Sequence, residues 1–248
     1  MIHLVLTNCR LIPELCEGFQ EERADICIEG DSIAEILPAG GSYVGEEVID
    51  CEGKTVLPGL YNLHVHLWLN SFDNDDLAQE SDEFALTMRS IHYMNTLLAY
   101  GFTSLRDVGG PYNISVNLKK AINQGKLVGP HIKASGYILC PDQYCGPNLH
   151  CHSDKYNMAI NDSFAMRALA RKQLVQGADF IKILGCSIMG DDRDERGLFY
   201  PDELDALEEV VAREHTYVAS HCANPVCITY AVERGNYTIE HGSNLRPE

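Results

Sequence analysis

His64-Val65-His66 follows an apolar approach, Thr55-Val-Leu-Pro-Gly-Leu. Residues two apart on a β-strand face the same side, so both imidazoles can point into one cavity and ligate one metal. Taken alone the spacing constrains little, and two ordinary strand-end histidines are the simpler reading. Two more histidines close later apolar runs: His221 ends Tyr217-Val-Ala-Ser-His, and His241 ends Thr238-Ile-Glu-His. Neutral imidazole is the commonest side-chain metal ligand, and ligands drawn from separate strand ends converge on the axis of a β/α barrel.

Lys182 lies within Phe180-Ile-Lys-Ile-Leu, where apolar neighbours would bury a strand from both sides. An unpaired buried ammonium is costly, so this lysine must reach a carboxylate such as Asp107 or Glu240, lose its proton, or be modified. A depressed pKa would suit nucleophilic or carbamate chemistry. Cys140, Cys145, His150, Cys151 and His152 supply enough soft ligands for a structural zinc site, but their spacing is irregular and lacks a C-x-x-C pair. Cys186 and Cys222 stand where they could line a cavity; small buried thiols are the simpler account.

The elements that must position these groups follow a repeating rhythm. Short strands are expected over residues 4–6, 10–12, 24–28 and 32–36, with Glu29-Gly30-Asp31 turning between the last two. From Val56 the pattern becomes strand, loop, amphipathic helix. Ser81 is placed to cap a helix with apolar positions Phe84, Met88, Ile91, Met94 and Leu98, which Gly101 stops. Further helices are expected over residues 115–124, 163–176, 201–213 and 225–234. The six strands of this part fall at 56–65, 102–106, 131–137, 179–184, 216–220 and 237–240. Such alternation indicates a parallel sheet, doubly wound or closed as a barrel, and in both cases ligands meet the carboxyl ends of the strands.

A chain of 248 residues with 45% hydrophobic and 22% charged residues is long enough and apolar enough to bury a substantial core. No apolar run approaches the roughly 20 residues that span a bilayer, so no membrane partner is expected. The start, Met1-Ile-His-Leu-Val-Leu-Thr, lacks the basic region of a signal peptide, so the expected location is cytoplasmic and the ten cysteines are expected to be reduced. A net charge of -17 repels phosphate backbones and excludes nucleic acid as the expected partner. The acidic runs at residues 73–76 and 191–195 read as solvated loops.

Four stretches together resemble the amidohydrolase superfamily. The run Asp50-Cys-Glu-Gly-Lys-Thr-Val-Leu-Pro-Gly-Leu-Tyr-Asn-Leu-His64-Val-His66 looks like its opening signature, in which a small β-sandwich feeds the first barrel strand. The likeness continues through Thr103-Ser-Leu-Arg-Asp107-Val-Gly-Gly, Gly177-Ala-Asp-Phe-Ile-Lys182-Ile and Ile239-Glu-His241-Gly, covering nearly the whole chain. It is most similar to the imidazolonepropionase-like and prolidase-like members, many of which cleave dipeptides or N-acyl amino acids.

The resemblance implies an α/β fold: a TIM-like (β/α) barrel over residues 56–248, preceded by a β-sandwich part over residues 1–55. It implies two divalent metal ions, zinc by expectation, with His64 and His66 on the more buried ion and His221 and His241 on the other. Lys182, carboxylated by carbon dioxide, would bridge them, and a bridging hydroxide would attack the carbonyl of a small amide substrate. Relatives place a substrate-facing histidine loop where His150 and His152 fall, which makes these two the expected substrate contacts. The superfamily's eighth-strand aspartate, which ligates the buried metal and shuttles the proton, has no counterpart here; Asp107 is at a strand end but on the wrong strand. The barrel is therefore expected to be incomplete, about six of eight strands. The chain is read as a fragment, a truncated gene product or part of a split assembly, with a homo-oligomer or a complementing C-terminal fragment as expected partner and its activity in isolation left open. The alternative readings are a deaminase or cyclic amidase on the same scaffold, or a non-catalytic amidohydrolase-like protein.

Overall fold

The computed structural model describes residues 4–43, 47–69, 82–141, 157–186 and 197–245. The chain forms two compact units, Met1–Gly59 and Leu60–Glu248.

In the first unit, β1 (Leu4–Arg10), β2 (Arg23–Glu29), β3 (Ser32–Pro38) and β4 (Glu47–Asp50) form one sheet in the order β3-β2-β1-β4. Strand β4, which the sequence pattern did not suggest, runs parallel to β1, and the other pairs are antiparallel. Residues 4–6 and 10–12 do not form two strands. One strand runs to Arg10 with its register shifted between Leu6 and Cys9, where Asn8 takes a φ of 54°. This bulge is held by the buried Asp25, whose carboxylate accepts from the amides of Asn8, Gly40 and Gly41 and from the Tyr43 hydroxyl. Burial alone would raise the Asp25 carboxyl, but these donors hold it below the usual range.

The second unit alternates strands and helices: β5 (Leu60–Val65), α1 (Glu83–Ala99), β6 (Phe102–Asp107), α2 (Ile114–Asn123), β7 (His131–Ala134), β8 (Ile138–Pro141), β9 (Asn157–Ile160), α3 (Ser163–Gln176), β10 (Ile181–Leu184), α4 (Pro201–Arg213), β11 (Val218–Cys222), α5 (Pro225–Arg234) and β12 (Tyr237–His241). All its strand pairs are parallel, in two groups, β5-β6-β7 and β12-β11-β10-β8-β9, and among the described residues these do not close into a barrel. The α/β class and the six expected strands are present, and β8 and β9 are additional.

Three local corrections have physical causes. The first strand starts at Leu60 and not at Val56, because Pro58 has no N–H to give a ladder. The strand expected over 131–137 breaks at Gly136, whose φ of 76° turns the chain while the Gln173 side chain takes the Tyr137 amide at 3.2 Å. Helix α1 is capped by Asp82, which accepts from the amides of Phe84 and Ala85, and the expected cap Ser81 lies outside the described residues. Of the expected apolar positions Met94 is buried and Ile91 packs against the same core, but the inward face also takes Leu86, Ser90 and Leu97, whereas Phe84 and Met88 are 73% and 52% exposed.

The core forms where the helices pack on each of the two strand groups. Ile181, Ile183 and Val218 pack with Met166, Leu207 and Val211 under α3 and α4. Val65, Leu105 and Ile132 pack with Leu86, Met94 and Val116 under α1 and α2. Each buried side chain of this size contributes about 1.5–3 kcal/mol, which fixes the strand ends firmly enough to aim side chains from them. No helix among the described residues is long and apolar enough to cross a membrane.

Candidate metal centre

Strand β5 delivers His64, and His66 follows at its carboxyl end. Their ring centroids lie 5.4 Å apart. Strand β11 delivers His221 and β12 delivers His241, whose rings are 4.5 Å apart, and His241 approaches His64 to 4.7 Å. The four imidazoles thus form one run, His66, His64, His241, His221, spanning the two strand groups. In the ladder His221 pairs with Glu240 and Cys222 with His241.

Lys182 sits in the middle of β10 with 2% of its surface exposed, and its Nζ has no hydrogen-bond partner among the described residues. Burial pushes its pKa down to about 8, with Glu240 pulling the other way. The pairing of Lys182 with a carboxylate, one option open from sequence, is not made. Asp107 accepts from the Leu67 amide at 2.8 Å, the Gly109 amide at 3.0 Å and Ser115 Oγ at 2.8 Å. Burial pushes the Asp107 carboxyl up, and its role is to clamp the loop after β6.

Glu240 is engaged as well, and sequence reading did not foresee its network. Its Oε2 lies 2.6 Å from His64 Nδ1, while Oε1 accepts from Arg106 Nη2 at 2.6 Å and Thr238 Oγ1 at 2.7 Å. Arg106 also donates from Nε to the Leu63 carbonyl at 2.6 Å and lies over the Phe180 ring. Burial would raise the Glu240 carboxyl, but the contacts with His64 and Thr238 and the charges of Arg106 and Lys182 hold it down to about 2. Successive strand residues face opposite sides, yet Glu240 and His241 both reach His64. The φ of 70° at His241 breaks the alternation, an uncommon conformation for a non-glycine residue. The one sequence signal for Glu240 was an acidic residue beside a candidate ligand.

His66 Nδ1 lies 2.6 Å from the Gly109 carbonyl, which only accepts, so Nδ1 carries the proton and Nε2 keeps its lone pair. Desolvation, aided by the charge of Lys182, pushes the His66 imidazole down to about 3. Burial chiefly lowers His221 and His241 too. Neutral imidazoles with a committed Nδ1 are what metal ligation requires. Among the described residues no three His, Cys, Asp or Glu side chains form a metal cage by themselves. Among the described residues two buried nitrogens, Lys182 Nζ and His221 Nε2, have no partner, and imidazole nitrogens of this kind are donors that suit a metal ion.

The other sequence candidates fare differently. Cys140 is buried in β8, and Cys145, His150, Cys151 and His152 lie outside the described residues, as do the acidic runs at 73–76 and 191–195. Cys186, Cys222 and Cys227 pack together as buried free thiols. A shared hydrogen bond with Cys227, then burial, pushes the Cys186 thiol up to about 12, so it is protonated in the metal-free chain. None of the eight cysteines among the described residues forms a disulfide.

Parallel β/α units carrying imidazoles at their strand ends and one buried lysine within β10 place this molecule among the β/α-barrel proteins. The chain belongs to the Amidohydrolase family, whose model matches residues 55–247. It is 26% identical to ochratoxinase of Aspergillus niger over 220 residues, which is 76% of this chain and 43% of that protein. A stretch of 65 residues is 38% identical to 5'-deoxyadenosine deaminase of Methanobrevibacter smithii, covering 25% of this chain and 15% of that protein. Among solved structures, a Xaa-Pro dipeptidase with bound methionine in its active site superposes with a TM-score of 0.80 at 26% identity, covering 96% of this chain and 61% of that one. The chain thus spans less than half the length of ochratoxinase and about three-fifths of the dipeptidase.

Proposed function

We propose that this chain hydrolyses the C–N bond of a small amide, a dipeptide or N-acyl amino acid, at a centre for two divalent cations, zinc by donor chemistry. The observation that carries the reading is Lys182 Nζ, buried without a partner among the described residues, on the strand next to the one that carries His221 and close enough for its charge to act on His66, His221 and His241. His64, His66, His221 and His241 would hold the ions through imidazole nitrogens, and Lys182, as its carbamate, would add anionic oxygens to the same site. In forming it, the neutral amine adds to carbon dioxide, a nitrogen–carbon bond forms, and one proton leaves to solvent. The result replaces a poorly tolerated ammonium with anionic oxygens. When bound, two such ions lower the pKa of a shared water and polarise the scissile carbonyl.

The chain's own residues orient and desolvate. Strand β10 is buried along its whole length, Lys182 included, which keeps water from the lysine, and the Gly109 carbonyl fixes the His66 ring. Asp107 is not assigned the proton transfer, because its oxygens are committed to three donors. The names of the dipeptidase and of ochratoxinase favour amide substrates. The short deaminase match supports a second reading, deamination on the same scaffold, but a buried lysine suited to bridging favours the two-ion hydrolase. We infer a cytoplasmic setting, in which the free thiols stay reduced.

The test supplies the chain with zinc and bicarbonate and offers Xaa-Pro dipeptides, N-acyl amino acids and 5'-deoxyadenosine. Release of an amino acid from the amides supports the reading. Ammonia release from the nucleoside alone, or no turnover of any of them, contradicts it.

A further inference from the structure

We propose that Glu240 is a positioning residue that locks His64 in the tautomer protonated on Nδ1, keeping Nε2 as the lone-pair nitrogen, while Arg106 and Thr238 hold the carboxylate in place. The inference rests on the metal-centre reading above for its purpose, but its observable is His64 itself.

Geometry carries it. Glu240 is 4% exposed, and its two oxygens are divided: Oε2 serves His64 alone, and Oε1 takes Arg106 and Thr238. Arg106 is tied on its other side to the Leu63 carbonyl, next to His64 in sequence, so the guanidinium ties together the strand that carries His64 and the one that carries Glu240. Thr238 also accepts from Arg106 Nη1 at 3.2 Å, which closes a ring of polar contacts around Oε1. A plain structural ion pair would need only Arg106 and Glu240. The free oxygen aimed at an imidazole nitrogen, and the left-handed turn at His241 that lets Glu240 and His241 share His64, are additional to such a pair. Carboxylates that accept from a ligating histidine fix its tautomer and raise its basicity, and losing one typically costs about 10- to 100-fold in metal affinity.

Glu240→Gln separates this role from packing, because it keeps the shape. Arg106 and Thr238 retain the amide oxygen, so the amide N–H2 faces His64 Nδ1 and can only donate to it. The tautomer then inverts and Nε2 gains the proton. The experiment uses the full chain labelled with 15N-histidine, long-range 1H–15N correlation at pH 8 with chelator and then with zinc, and His64→Asn to assign the signals. Zinc affinity is read by competition with a chromophoric chelator. The expected result is an Nδ1–H tautomer for His64 in the unsubstituted chain, an Nε2–H tautomer in Glu240→Gln, and an affinity loss of about 10- to 100-fold. An Nε2–H or mixed His64 in the unsubstituted chain overturns the proposal whether or not the variant folds. So does a Glu240→Gln chain that keeps both tautomer and affinity. An unsubstituted chain with Nδ1–H His64 and no zinc binding would overturn the two-ion reading and support the lock.

Discussion

Replacing Lys182 with methionine should stabilise the metal-free chain while destroying its capacity to hold metal. Methionine fills nearly the same volume with no charge, so the substitution removes the cost of a buried, unpartnered ammonium and little else. The lysine pKa drops from its ordinary 10.5 to about 8. At about 1.4 kcal/mol per unit, this corresponds to about 3 kcal/mol of destabilisation at pH 7, where both the folded and unfolded chains carry the proton. The sign fixes a pH window. Between about 8 and 10.5 the unfolded chain binds the proton and the folded chain does not, so stability rises with pH there and the cost is gone above 10.5. Urea unfolding with chelator present, at pH 7 and across this window, reads both effects. The expected result is a gain approaching 3 kcal/mol at pH 7 and a flatter pH profile for Lys182→Met. A variant less stable than the parent at pH 7, or one that keeps the parent's slope, would refute the idea that an unpaired lysine is stored here for chemistry.

Other consequences follow from the same groups. Asp107→Asn turns one of the two accepting oxygens into a donor facing a backbone N–H or Ser115, and should cost about 2 kcal/mol in urea unfolding; an unchanged midpoint would remove its clamping role. Because His66 titrates at about 3 when folded and near its ordinary 6.5 when unfolded, the metal-free chain should lose stability as pH falls through that interval. A urea midpoint that stays flat from pH 6.5 down to 4 would contradict the desolvated, neutral imidazole. Gly136→Ala should lower the melting temperature, because a Cβ at a φ of 76° would also meet the Gln173 and Asn113 side chains; a melt equal to the parent's would show that this turn tolerates a side chain.

Most of the scaffold was legible because its signals are local. Helices α3, α4 and α5 begin and end where the pattern put them: Asp162 and Asn224 cap two of them, Pro201 opens the third, and Gly177 and Gly235 close α3 and α5 in the left-handed conformation. The five candidate ligands were readable because each sits at or beside an apolar strand run. What was not legible depends on partners distant in sequence. The buried face of α1 was set by the sheet it packs on, which favoured Leu86 and Ser90 over Phe84 and Met88. The break between β7 and β8 needed Gln173 from α3 to take the Tyr137 amide. Glu240 finds His64 across 176 residues, and no spacing rule connects them.

The most direct test of the metal centre is elemental analysis of the purified chain after incubation with zinc and bicarbonate, beside Lys182→Ala treated identically. A binuclear site bridged by carboxylated Lys182 predicts about two ions per chain for the parent and none for the variant. A parent chain without bound metal, or a Lys182→Ala chain that retains both ions, would contradict it.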